Sequence, residues 1–284
     1  MTDYQYVRVE NPQPEIARVV MNRAAKRNAT NLPMLYELDQ AFTAAAADNT
    51  VKVIILAAEG PHFSAGHDQL TRGTMDDINT VGTTFGYSAP GIEGMMNWTR
   101  EAYFDTHWRW RNIPKPLIAE VQGKVIGGGL GLMWICDVIV ASEDAEFADP
   151  TVHIYGNGVE YFGHPWEFGI RKAKELLFTS GWLTAQEGER CGMINKVVPR
   201  EALSQTVLEM AGKMAKQPSL GLSLSKQALN AAQDQQGFYN SMREAFMICT
   251  VAHAQMQLVG LPADGMGEGF MGGNRLGKEA PRIS

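Results

Sequence analysis

The chain has 284 residues, of which 45% are hydrophobic and 20% charged, a composition able to bury a sizeable core in one large domain or two smaller ones. A net charge of −6 without any basic block argues against nucleic acid, so an anionic ligand must be held by a local cluster of donors. The absence of an apolar signal-like N-terminus and of any apolar run of about 18 residues, with three isolated cysteines, argues against secretion, membrane spanning and a disulfide framework; a cytoplasmic protein is expected.

The first β-type run covers residues 15–21. Asn31 then has the chemistry of a helix cap, with Pro33 in the first turn and Leu35, Leu38, Phe42 and Ala45 recurring at helical spacing. A second β-type run, 51–58, leads directly into the loop Gly60-Pro-His-Phe-Ser-Ala-Gly-His-Asp-Gln-Leu70. Residues 71–94 hold few large apolar side chains and read as an active-site loop or a disordered stretch. Trp98, Tyr103, Trp108 and Trp110 follow on a helix expected to cover substrate, flanked by Glu93, Glu101 and His107. A strand at 117–121, three consecutive glycines (Gly127, Gly128, Gly129), an apolar helix over 130–135 and a β-type run at 136–141 complete an alternating pattern. That pattern predicts an α/β fold with a largely parallel sheet.

Beyond Gly169 the chain turns helical. Thr184-Ala-Gln-Glu187 has capping-box spacing, with Gly192 placed to end that helix. Residues 197–198 are extended, and Leu203, Val207, Met210, Ala211 and Met214 form one helical stripe. Further helices are expected over about 220–232 and 238–259, a region suited to packing or oligomerisation. The tail from Pro262 is rich in glycine and polar residues and is expected to be poorly ordered.

The chemistry concentrates in two loops that each follow a strand. Ligands of parallel α/β sheets collect beyond the carboxyl ends of the strands. The glycine run lets backbone approach a ligand closely, and a helix start leaves N–H groups unpaired. Such groups bind an anion or the oxygen of a thioester carbonyl as it becomes an enolate; the same run also reads as a turn for tight helix–strand packing. No metal-ligand spacing, P-loop, GxSxG elbow or complete GxGxxG is present, so neither a metal nor a nicotinamide cofactor is expected.

Phe63-Ser-Ala-Gly-His-Asp68, Ile113-Pro-Lys-Pro-Leu-Ile-Ala-Glu-Val-Gln-Gly123, Ile126-Gly-Gly-Gly129, Cys136-Asp137, Phe147-Ala-Asp-Pro150 and the run from Leu183 to Pro199 together resemble the crotonase (enoyl-CoA hydratase/isomerase) superfamily. The resemblance covers roughly residues 19–229 in order. It implies a spiral core of ββα turns over 1–198, a helical trimerisation region over 199–261, and assembly as a homotrimer or dimer of trimers. It also implies an acyl-CoA or enoyl-CoA substrate with no separate cofactor, coenzyme A being part of the substrate. By position the oxyanion donors are the backbone N–H groups of His67 and Gly128, beside Gly127. Ala65 lies along the pantetheine and adenine path, and Lys26 and Arg27 resemble the segment that approaches the CoA phosphates, although both also suit a solvated turn. Ser64, Asp68, Leu70 and Thr151 complete the expected binding set, with Asp68 hydrogen-bonding inside its own loop.

The family pattern breaks where hydratases carry two glutamates: those positions hold Gly131 and Thr151. Superfamily isomerases and dehalogenases place an acidic residue near Glu160. Glu160 and His164, four apart, would share a face of a helical turn, and an apolar pocket beside Tyr161, Phe162 and Trp166 would raise the carboxyl pKa. Glu160 is thus the expected acid/base, with His67 and His164 as further catalytic candidates. Other enolate chemistry (thioester hydrolysis, decarboxylation, C–C cleavage) and an inactive acyl-CoA-binding relative remain as alternatives.

Overall fold

A computed structural model describes residues 4–68 and 86–260. The strands are β1 (Val7–Gln13), β2 (Ile16–Met21), β3 (Val53–Ala58), β4 (Leu117–Val121), β5 (Lys124–Ile126), β6 (Val138–Ser142), β7 (Glu146–Ala148), β8 (Leu183–Thr184) and β9 (Lys196–Val198). The helices are α1 (Leu32–Ala47), α2 (Ile92–Thr99), α3 (Thr106–Arg111), α4 (Gly128–Trp134), α5 (His164–Phe168), α6 (Ile170–Thr179), α7 (Ala185–Cys191), α8 (Leu203–Ala215), α9 (Ser219–Gln235) and α10 (Phe238–Val259).

Six strands form one sheet in the order β1-β2-β3-β4-β6-β9, and β5-β7-β8 form a second. In the larger sheet β1 pairs antiparallel with β2, Val7 opposite Met21, and every other pair is parallel. The path β4, β5, α4, β6, β7 gives one strand to each sheet per turn, the ββα repeat that the resemblance implies. The loop after β3 joins the second sheet too, because Ser64 bridges Val125 of β5.

Residues of β3 and β4 are buried throughout, as expected for parallel strands covered on both faces. Their alternation sorts the core. Val53, Ile55 and Ala57 pack with Ile16, Val20, Ile118 and Val140 under Leu203, Val207 and Ala211 of α8. Ile54 and Leu56 face the larger core built on Leu35, Leu38 and Phe42 of α1. Full burial of each such side chain is worth roughly 1.5–3 kcal/mol. Helix ends follow local chemistry: the Asn31 side chain accepts from the Met34 amide at 3.1 Å, and Thr184 with Glu187 closes a capping box.

Several elements depart from expectation. β1 is an edge strand with a mostly exposed pattern, which hid it from hydropathy. Residues 136 and 137 precede β6: the Asp137 carboxylate accepts from the Leu117 amide at 2.7 Å and from Lys226 of α9 at 2.8 Å. Of the 71–94 stretch, residues 92–94 are helical, opening α2; residues 71–85 and the tail from 261 lie outside the described residues. α2 runs through a π-helical segment, Arg100–Asp105, into α3. Among the described residues no helix is long and apolar enough to cross a membrane.

Candidate active site

The two glycine-bearing loops meet at the carboxyl ends of β3 and β5. Ser64 is fully buried; its hydroxyl donates to the Asn28 carbonyl at 2.8 Å and accepts from the Gly66 amide at 3.2 Å. The Ile126 amide donates to the Ser64 carbonyl at 3.0 Å, locking one loop to the other. Gly66 has φ 85°, and a Cβ there would lie 2.6 Å from the Ile126 carbonyl oxygen, so only glycine fits the junction. Gly128 opens α4, with Gly127 at the cap position. Among the described residues neither the His67 nor the Gly128 amide has an acceptor, and both residues line a cavity of about 300 Å³.

Glu160 lies on the same cavity wall, the one carboxylate among its described lining residues. Its Oε2 lies 2.9 Å from His67 Nε2. His67 Nδ1 lies 3.3 Å from the Thr30 hydroxyl, so both imidazole nitrogens are engaged. The ring is stacked on Tyr103 at a centroid distance of 3.9 Å, and a Cβ on Gly128 would lie 2.4 Å from it. The expected raised pKa is therefore corrected. Burial does oppose ionisation of Glu160, but the charge and hydrogen bond of His67 outweigh it and hold the carboxyl down at about 2.

Glu160 sits in a bend rather than a helical turn, and α5 begins only at His164. The shared face expected for the two side chains does not form. His164 is fully buried, outside the cavity lining, with Nε2 2.8 Å from Asp149 Oδ2. The same Asp149 accepts from the Val159 amide at 3.0 Å and the Thr151 amide at 3.1 Å. Asp149 and His164 thus brace the loop that carries Glu160, and His164 does not reach the reacting space as a catalytic residue would.

At Gly131 and Thr151, where the resemblance places the hydratase glutamates, the surroundings match the residues present. A Cβ on Gly131 would meet Tyr161 at 3.3 Å and His107 at 3.4 Å, so those two side chains fill the space of a longer residue. Burial, then the charge of His67, push His107 down to about 3, leaving it neutral at physiological pH. Thr151 lines the cavity, and its hydroxyl is buried without a partner among the described residues.

Of the expected CoA contacts, Ala65 lines the cavity and its amide donates to the Arg27 carbonyl at 2.9 Å, which brings the exposed Lys26–Arg27 turn beside it. The Ser64 hydroxyl is committed to the Asn28 carbonyl and the Gly66 amide. Asp68 pairs across to Arg23 at 2.7 Å. Leu70 lies outside the described residues. Trp98 and Tyr103 face the cavity, whereas Trp110 donates to Asp39 at 2.7 Å in the core.

Sequence reasoning missed Thr30, Cys249 and His253. Glu160, Cys249 and His253 bring potential ligand atoms within 4.8 Å of one another. The Cys249-x-x-x-His253 spacing was the available signal, since residues four apart on a helix share a face.

Residues 11–261 match the enoyl-CoA hydratase/isomerase family model. EchA13 of Mycobacterium tuberculosis is 42% identical over 267 residues, covering 89% of this chain and 82% of that protein. The crystal structure of a probable enoyl-CoA hydratase from Mycobacterium smegmatis superposes with a TM-score of 0.81 at 43% identity, covering 90% of this chain and 98% of that one. A monofunctional enoyl-CoA isomerase from M. smegmatis superposes at a TM-score of 0.63 and 26% identity, covering 81% and 94%. With the ββα core and the paired loops in place, the chain belongs to the enoyl-CoA hydratase/isomerase family of the crotonase superfamily.

Proposed function

We propose that this family member, an enzyme of acyl-CoA thioesters, shifts the double bond of an enoyl-CoA with Glu160 as its single proton carrier. The observation that supports the reading is Glu160 standing alone among the described cavity-lining carboxylates, with Gly131 and Thr151 unable to supply a second. The thioester oxygen accepts from the His67 and Gly128 amides, which hold the negative charge of the enolate; one such donor is worth roughly 2.7–4 kcal/mol. Glu160 takes a proton from the α-carbon, the double bond moves into conjugation, and the same carboxyl returns the proton at the γ-carbon.

A carboxylate held at about 2 is a weak base and a strong acid. It suits a carbon acid already acidified by the two amides, and it suits the return step. It is poorly matched to deprotonating water. Because both nitrogens of His67 are engaged, the imidazole positions Glu160. Coenzyme A is part of the substrate in this reading, with Ala65 along its path and Lys26 and Arg27 near its phosphates. Turnover of Glu160→Gln across several enoyl-CoA chain lengths tests the assignment. A fall of about 10²–10⁴-fold in kcat is expected, and unchanged turnover removes Glu160 from the mechanism.

Water addition is the second reading, favoured by the probable-hydratase relative; it requires a second proton-transfer group, and beside His67 the cavity offers His253 within reach of Glu160. We also infer that the C-terminal helices assemble a homotrimer or dimer of trimers. Leu220 and Leu229 of α9 and Val251 and Leu258 of α10 are 69–81% exposed, an apolar surface suited to further copies of the chain.

A further inference from the structure

We propose that Glu160, Cys249 and His253 form a binding site for one thiophilic divalent cation, Zn²⁺ in chemistry, at the wall of the acyl cavity. Cys249 and His253 lie four apart on α10 and point to one side of it, the spacing by which a helix offers two ligands to one ion. Cys249 Sγ and His253 Nε2 are 3.9 Å apart. Tetrahedral zinc, with Zn–S about 2.3 Å and Zn–N about 2.0 Å, asks for about 3.5 Å between those atoms. Glu160 approaches from the opposite wall, and all three ligand atoms fall within 4.8 Å, so small side-chain rotations close the set.

The donors select the ion. Thiolate and imidazole favour zinc over magnesium or calcium, which take oxygen ligands. One carboxylate, one thiolate and a neutral imidazole also balance a 2+ charge, as a mostly buried ion requires. Glu160 and Cys249 are buried, while His253 is partly exposed and gives an entry path. The carboxylate is already oriented by His67 at 2.9 Å, the outer partner that metal-bound carboxylates commonly have. Three protein ligands leave a fourth position open toward the cavity, where water or a substrate oxygen completes the shell.

Zinc takes the thiolate, so binding expels the thiol proton: Zn²⁺ and the thiol give the zinc thiolate and one H⁺. If Glu160 carries the proton as argued above, an ion on its carboxylate occupies the lone pair that the reaction uses. The loaded protein is then inactive, and the cavity works as a metal-gated site.

The binding step is read without turnover. Metal-stripped full-length protein is titrated with Co²⁺, a spectroscopic substitute for Zn²⁺, following the thiolate-to-cobalt absorption band, and Zn²⁺ is then added in competition. The expected result is one ion per chain, loss of the band in Cys249→Ser, and Co²⁺ affinity reduced by at least about tenfold in His253→Gln, with circular dichroism unchanged in both variants. Absence of a band, or a band that survives Cys249→Ser, overturns the site. In a parallel arm, Zn²⁺ should suppress wild-type turnover and leave the turnover of Cys249→Ser, whatever its level, unaffected. Binding without suppression overturns the gating. A fully active Glu160→Gln protein overturns the proton assignment while leaving the spectroscopic result standing.

Discussion

At the residue scale the account turns on a carboxylate and an imidazole that hold each other. Glu160 is lowered from 4.5 to about 2, so between those values the folded protein keeps the carboxylate ionised while the unfolded chain takes up a proton. The stabilisation is therefore fully present above about 4.5 and lost as pH falls toward 2. Denaturant titrations across that window should show wild type losing its advantage over Glu160→Gln; a constant gap would contradict the lowered value. Gly128→Ala separates side chain from backbone. The new methyl falls 2.4 Å from the His67 ring, which Tyr103 blocks on stacking, yet the Gly128 N–H remains. Steady-state kinetics should show kcat falling by about 10²-fold or more with little change in KM. Unchanged kcat would mean that the imidazole has no positioning role.

The element scale shows what was legible in the chain and what was not. β3 and β4 announce themselves as continuous Val/Ile-rich runs, and α1 and α7 by the cap chemistry of Asn31 and Thr184. These are local signals, carried by residues adjacent in sequence. β1 lies at an edge with its polar residues outward, and β5 and β7 are three residues each, too short to carry a period. The glycine loops were readable because backbone geometry demands glycine where Gly66 meets Ile126. The environment of Glu160 was not, since its partner His67 is 93 residues away and reverses the effect of burial. The role of His164 failed for a similar reason, because its partner Asp149 lies beyond the helical turn assumed for it. That buried pair braces the Glu160 loop, so His164→Ala, which strands Asp149, should cost about 3–5 kcal/mol in equilibrium unfolding. A loss below about 1 kcal/mol would place the bracing elsewhere. Restoring the hydratase carboxylate by Gly131→Glu should destabilise rather than activate, because Tyr161 and His107 fill that space. Thermal unfolding together with a hydration assay checks both halves.

For the whole molecule, the six-stranded sheet and α8 bury one core while α9 and α10 leave large apolar side chains outside it. Light scattering on the eluted protein should give the mass of three or six chains, and Val251→Asp should shift it toward the monomer; a monomeric wild type would contradict the assembly. The proposed chemistry is tested at the same scale, since it needs both the enolate held by the two amides and the side chain that moves its proton. The most direct test is ¹H NMR of a 3-enoyl-CoA incubated with the enzyme. The expected result is conversion to the conjugated 2-enoyl-CoA without accumulation of a hydroxyacyl product, slowed at least about 10²-fold in Glu160→Gln. Rapid water addition to a 2-enoyl-CoA, with the 3-enoyl isomer left untouched, would contradict it.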